Sequence, residues 1–199
     1  MKSKGAEQGV LKRDLAIAAA MAAGMADYVR SDVTWWDMGR QDMPLLTIGG
    51  YLMRRRRLSA LDYLLHEPEQ QALAAANAIF DLFMGDHIVR FEERASSELG
   101  ARIREWTVYL RDLTLSHRLA ADTTRYDYLA DNRVIIDELV QKLSEAPFKL
   151  AEHVRNDVAA LDHRLMARWA PGAFIWSPVW SPAYPSDVYW WLYGHPKAD

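Results

Sequence analysis

Apolar residues recur at three- and four-residue spacing through nearly all of the first 170 positions, which is the signature of amphipathic helices rather than strands. Leu11, Leu15, Ala18, Ala22, Met25 and Val29 predict a first helix over about 11–34. Its small residues, Ala18 and Ala22 with nearby Gly24, would let a neighbouring helix approach closely. Trp35, Trp36, Gly39 and Pro44 end it. Thr47 then offers an N-cap for a second helix to about residue 66, bounded by Pro68, although Gly49 and Gly50 weaken its start. A third helix from about residue 69 carries Leu73, Ala76, Phe80 and Phe83. Gly85 and Asp86 read as its C-cap and the next N-cap.

Beyond Ile88 the stripe runs Phe91, Ala95, Leu99, Ile103, Trp106, Leu110 and Leu113 without losing phase across Ser96, Ser97 and Gly100. A turn would reset that phase, so the pattern predicts one helix over 86–119, ~50 Å long at 1.5 Å per residue, rather than a hairpin at Ser97. A helix of that length outruns a compact bundle and calls for another surface over its stripe. Two further helices are expected over 122–145 and 148–169, separated at Pro147. Their stripes are Tyr126, Leu129, Val134, Ile136, Leu139 and Leu143, then Leu150, Val154, Val158, Leu161 and Leu165. No strand pattern appears before residue 170. From Pro171 onward prolines alternate with aromatic residues, and only residues 188–193 suit either a short strand or a final helical turn. The expected fold is all-α: a bundle of about six helices over 1–170, one of them long, with an extended Pro- and aromatic-rich arm over 171–199 packed on it as part of the same structural unit.

Composition narrows the function more by exclusion than by indication. The chain has 199 residues and no cysteine, which removes disulfide frameworks, thiolate metal sites, iron–sulfur clusters and thiol nucleophiles together. A formal net charge of -3 gives no global electrostatic reason to bind nucleic acid or an anionic membrane. The N-terminus superficially resembles a signal peptide, with Lys2, Lys4, Lys12 and Arg13 before a small apolar run. Glu7 and Asp14 interrupt the basic region, however, and the helical stripe passes straight through any cleavage point. The longest uncharged stretch, 169–186, holds Pro171, Pro178, Pro182 and Pro185 and cannot span a bilayer. These features predict a soluble, cytoplasmic protein without membrane insertion.

Candidate chemistry is sparse. No histidine follows a glutamate by three residues, as helical di-iron sites require, and the His-Glu-x-x-His zinc spacing is absent. The one ligand-like pair is His153 with Asp157, a turn apart and able to share a metal, with His87 or His117 as a distant third donor. No cofactor is predicted. Arg54, Arg55, Arg56 and Arg57 follow one another on the second helix and form a candidate anion site. Intramolecular ion pairs account for them more simply, and nucleic acid is not an expected partner. There is no nucleophile elbow, phosphate loop or dinucleotide fingerprint. In the arm, Trp176, Trp180, Tyr184, Tyr189, Trp190 and Trp191 read as a belt over helix stripes, with interaction anchors or a ligand pocket as the alternative. The leading expectation is a non-catalytic helical interaction protein, self-associating as a homodimer through the long helix and the arm. The alternatives are a bundle that binds a small ligand or works as a metal-dependent enzyme, and an anion- or nucleic-acid-binding protein using Arg54 to Arg57.

Overall fold

The structure, a computed structural model, describes residues 2–115 and 123–197. Six α-helices occur among them: α1 (Lys2–Arg30), α2 (Ile48–Ala60), α3 (Glu67–Asp86), α4 (Ile88–Leu115), α5 (Thr123–Ser144) and α6 (Glu152–Met166). Two short strands, β1 (Trp169–Phe174) and β2 (Tyr193–Pro196), complete an otherwise helical chain. The all-α architecture with an aromatic arm is therefore the observed one. The chain divides into two compact units, Met1–Glu98 and Leu99–Asp199, and the division falls inside α4.

The first unit is built on α1, whose predicted stripe is buried in full, from Leu11 at 1% exposure to Val29 at 0%. The helix stops at Arg30, short of the expected residue 34. The Ser31 hydroxyl donates to the Tyr28 carbonyl (2.6 Å) and the Tyr28 hydroxyl to the Thr34 carbonyl (3.0 Å), so side chains take over the backbone's partners at this end. The following loop is pinned by one bridge between Trp36 and Leu46, a strand-like contact that the helical pattern did not foreshadow. Thr47 caps α2 as expected, its hydroxyl accepting from the Gly50 amide (2.9 Å). Glycine is required at 50, because a Cβ there would lie 2.8 Å from that hydroxyl. The α2 helix ends at Ala60 rather than near residue 66, where buried Leu61 and Leu65 turn the chain through a 3-10 segment, Asp62–Leu64. At α3 the Glu69 carboxylate returns to the His66 amide (2.9 Å) in a capping box, with Pro68 in the first turn.

The break between α3 and α4 lies at His87, one residue beyond the expected cap. There the imidazole stacks on Phe83 (4.5 Å between centroids) and the two helices bend by 106°. The α4 helix then runs unbroken through Ser96, Ser97 and Gly100, as its phase predicted. Its expected continuation to residue 119, with His117, lies outside the described residues. Most of the stripe is covered within the chain: Phe91, Ala95, Leu99, Trp106, Leu110 and Leu113 are all 3% exposed or less, while Ile103 is half-buried.

In the second unit α5 buries its whole predicted stripe, while α6 begins at Glu152 and not at Phe148. Phe148 is itself buried and the Leu150 amide donates to the Leu143 carbonyl (3.0 Å), so these residues belong to the connection. The arm returns on itself. Strands β1 and β2 pair antiparallel, Trp169 opposite Pro196 and Ala170 opposite His195. Strand β1 was not expected, since only residues 188–193 suit a strand in the sequence and residue 169 falls in the preceding expected helix. The ambiguous segment 188–193 resolves into a 3-10 turn, Trp190–Leu192, followed by the first residue of β2.

Candidate interaction surface

The arginine run is the most highly charged feature of the first unit, and three of its four members meet carboxylates. Arg57 donates to both oxygens of Asp14, through Nε at 2.6 Å and through Nη2. Arg54 lies 3.3 Å from the same carboxylate and donates to the Gly50 carbonyl (2.8 Å). Arg55 forks onto Asp81 (2.5 and 2.9 Å) and sits over the Phe80 ring at 5.9 Å. Asp14 is only 4% exposed, so this is a buried cluster joining α1 and α2, in which the arginines complete the core instead of presenting an open phosphate cradle. Arg56 is also engaged within the chain. Next to the cluster Tyr51 stacks on Phe80 (4.3 Å) and donates to Asn77 (2.8 Å), and burial pushes its phenol well above the usual range. Fully buried Glu98 accepts from the Gly49 amide (2.9 Å) at the N-terminus of α2, where the helix dipole favours an anion. Glu98 carried no signal in the sequence, because its partner, the Gly49 amide, lies 49 residues away.

The arm's aromatic residues assemble into a chain of edge-to-face and tilted contacts within the second unit. Trp176 meets Tyr184, Tyr184 meets Tyr189, Tyr189 meets Trp191 and Trp191 meets Trp190, at 5.0–5.8 Å between centroids. Trp180, Tyr184, Tyr189 and Trp191 are buried, while Trp176 and Trp190 are half-buried. Several polar tips at this cluster are used as well, although the buried Trp191 indole N–H has no hydrogen-bond partner among the described residues. The Trp176 indole donates to the Asp127 carbonyl (3.3 Å), Tyr189 donates to Asp137 (3.2 Å) and Tyr126 donates to the Trp191 carbonyl (2.5 Å). Arg133 stacks over Trp191 at 4.0 Å and forks onto Asp162 (2.8 and 2.7 Å), which ties α5, α6 and the arm together. Burial holds the Tyr126 phenol far above its ordinary value. Among the described residues these rings present a packed core with little free contact area.

The histidines are dispersed. His153 and Asp157 are both exposed on α6, and among the described residues no group of three His, Asp or Glu side chains is placed to hold a metal. His87 is occupied with Phe83, its Nδ1 3.2 Å from that residue's carbonyl. His195 on β2 lies 2.9 Å from the Asp127 carboxylate on α5, and its ring stands edge-on to Tyr126. His117 lies outside the described residues.

What remains is α3, and it is unusual in being apolar on two sides. Its inner face buries Leu73, Ala76, Phe80 and Phe83, as the spacing predicted. Its outer face exposes Ala74, Ala75, Ala78, Ile79 and Leu82, again at three- and four-residue spacing. Ile79 is 48% exposed and Leu82 69%, and the corner into α4 adds Ile88 at 39% and Val89 at 68%. Between Glu69 and Asp86 the only charged residue of α3 is Asp81, the partner of Arg55, and exposed Asp86 then separates this face from Ile88 and Val89. The sequence contained the signal: from Ala72 to Phe80 this helix carries no charge on any side. The same unit also holds a cleft of about 530 Å³ between the start of α1 and the 3-10 turn, bordered by Glu7, Gln8, Leu11, Leu64, Leu65 and His66.

No single helix among the described residues is long and apolar enough to cross a membrane. Comparison with protein-family models, curated proteins and solved structures yields no match.

Proposed function

We propose that this chain is a non-catalytic helical assembly protein that forms a homodimer, and that it does so through the outer face of α3. The observation that carries this reading is the exposed apolar face of α3, Ile79 and Leu82 beside Ala74, Ala75 and Ala78, with exposed Ile88 and Val89 beyond the bend at His87. A helix apolar on both sides needs two covers, and α3 has one. Scattered exposed hydrophobic residues are ordinary on a protein surface, whereas a contiguous strip marks an association site. The long helix and the arm, which the sequence also suggested as contact surfaces, bury most of their apolar residues internally, with Ile103, Trp176 and Trp190 half-buried, which favours α3 for that role. A single helix-on-helix contact lies at the small end of specific interfaces, below about 1,200 Å², so the dimer is expected to dissociate on dilution. Light scattering across a wide concentration series should show a rise from one chain mass to two. A single chain mass at every concentration would overturn the proposal.

The cleft near the N-terminus supports a second, independent reading, as a site for a small apolar ligand held between Leu11, Leu64 and Leu65 with Gln8 and His66 at its rim. Its volume of about 530 Å³ falls within the range of small-molecule sites. A medium-chain alkyl probe should raise the thermal midpoint, and Leu64→Asp should abolish that rise. An unchanged midpoint with the probe present removes this reading.

A further inference from the structure

The ring chain of the second unit has a chemical capacity beyond packing. We propose that Trp176, Tyr184, Tyr189, Trp191 and Trp190 form a path for one-electron oxidation. It carries an electron hole from either half-buried tryptophan to Tyr189 and leaves a neutral radical there, with the phenolic proton on Asp137. The path lies within one chain and does not depend on the assembly reading.

Consecutive ring centroids along it are 5.2, 5.0, 5.3 and 5.8 Å apart. Electron tunnelling falls off exponentially with the gap between donor and acceptor. Rings in contact leave almost no gap, so each hop outpaces an encounter in solution. Both ends of the path are half-buried tryptophans within reach of solvent, and the three rings between them are buried. Indole and phenol are the most readily oxidised aromatic side chains, and the protein has no cysteine thiol to intercept the hole.

Proton acceptors decide where the hole comes to rest. A radical cation is a buried charge, which is costly in a ring core unless a proton leaves. The Trp191 indole N–H is buried without a hydrogen-bond partner among the described residues, so its radical cation has no acceptor for that proton. The Arg133 guanidinium, 4.0 Å over the same ring, opposes a second positive charge there. Trp191 is therefore a stepping stone. Tyr189 differs, because its hydroxyl donates to the Asp137 carboxylate (3.2 Å), whose same oxygen accepts from Gln141 (2.6 Å). Tyr126 and Tyr193 donate instead to backbone carbonyls, which are far weaker bases.

The first electron leaves Trp176 or Trp190 for a small oxidant in solution, such as the azide radical, which becomes azide anion. Tyr189 then returns an electron to the tryptophan radical cation and passes its proton to Asp137. A cation and a carboxylate are thereby replaced by a neutral phenoxyl radical and a carboxylic acid. Arg133, 3.9 Å from Asp137, keeps its forked partner Asp162, so this neutralisation strands no charge.

Pulse radiolysis of the full chain in azide solution tests the proposal, since azide radicals at neutral pH oxidise tryptophan in preference to tyrosine. All chains carry Trp35→Phe, because Trp35 in the first unit is 40% exposed and would otherwise take up the oxidant. The expected result is a tryptophan radical that converts to a tyrosyl radical at a first-order rate independent of protein concentration. Tyr189→Phe keeps the ring and should remove most of the tyrosyl signal while prolonging the tryptophan radical. Asp137→Asn keeps every ring and should slow the conversion with an unchanged near-ultraviolet circular dichroism spectrum. If Tyr189→Phe disturbs that spectrum, the Asp137→Asn rate decides. Conversion that scales with protein concentration, or no tyrosyl radical at all, would overturn the path. An undiminished tyrosyl signal in a folded Tyr189→Phe chain, or the parent rate in Asp137→Asn, would overturn Tyr189 as its end point.

Discussion

Removal of the Asp14 carboxylate tests the view that the arginine run is a core element. Asp14 is 6% exposed at its side chain and Arg54 and Arg57 are 11% exposed, so Asp14→Asn leaves two like charges beside each other with little water to screen them. Deleting one partner of a buried ion pair costs about 3–5 kcal/mol. Here two arginines lose their counter-ion, while Arg54 keeps the Gly50 carbonyl and both keep slight solvent access. Those effects oppose each other, and an expected loss of about 3 kcal/mol results. Arg57→Met should cost less, because Asp14 keeps Arg54. The triple change Asp14→Leu, Arg54→Met, Arg57→Met should recover most of the loss, since similar-sized apolar groups can replace a buried ionic cluster without penalty. Urea unfolding followed by far-ultraviolet circular dichroism gives these differences, with separate transitions fitted if the two units unfold apart. A cost below about 1 kcal/mol for Asp14→Asn would show the cluster to be solvated and would return the arginines to the list of anion-binding candidates. So would a triple variant no more stable than the single one.

Other consequences can be checked independently. The His66 amide, followed by Lys12, holds the Glu69 carboxyl below its ordinary value. The folded-state pKa therefore lies below the unfolded one, and Glu69 contributes stability above the unfolded value that is lost as pH falls through the folded value. The gap between the parent and Glu69→Gln should be largest near neutrality and should close on acidification below about pH 4; a gap that widens there contradicts the assignment. The buried phenols of Tyr51 and Tyr126 have the opposite sign. Their stabilising effect is complete below the unfolded value of about 10 and is lost as pH rises beyond it, so both should ionise only together with unfolding. Tyr126→Phe should reduce the phenolate absorbance that appears in that alkaline transition, and ionisation before unfolding would refute their burial. In the arm, Gly194 has a φ of +139° and a Cβ there would lie 2.1 Å from the Ala170 carbonyl oxygen. Gly194→Ala should unseat the β1–β2 pairing, cost on the order of 2 kcal/mol or more, and flatten the near-ultraviolet signal of the packed tryptophans. An unchanged spectrum would show that the pairing does not hold the rings.

The parts of this fold that were legible in advance are those set by local spacing. The buried stripes of α1, α3, α4 and α5, the Thr47 cap and the continuity of α4 across Gly100 all follow from positions within a few turns of each other. Errors fall where distant side chains intervene. Residues 31–34 look helical until Tyr28 captures the Thr34 carbonyl, and Phe148 looks like a first helical turn until it is seen buried in the connection. The arm's prolines exclude helix, but the opposition of Trp169 to Pro196 is a tertiary fact that no local pattern encodes. Ion pairs for the arginine run were foreseeable as a class, whereas Asp14 and Asp81 lie 43 and 26 residues from the arginines they bind.

Surplus apolar surface is hard to place from local sequence for the same reason. Trp and Leu make α4 and the arm look over-hydrophobic when each is judged alone, yet the arm is a partner for residues far away in sequence, as Trp191 is for Tyr126, 65 positions before it. Alanine contributes little to such an impression, so α3 passes as an ordinary amphipathic helix whose apolar residues all belong to one core. Its exposed alanines alone would support no claim, since small apolar residues are common on surfaces. Nor do the isolated exposed side chains of the second unit, Val108 on α4 and Tyr128 on α5, carry weight singly. Leu82 differs because it is about two-thirds exposed and stands one helical turn from exposed Ile79, on a face that one covering surface could dehydrate. The decisive property is thus an exposed apolar face on a helix that already buries another face in a core of its own.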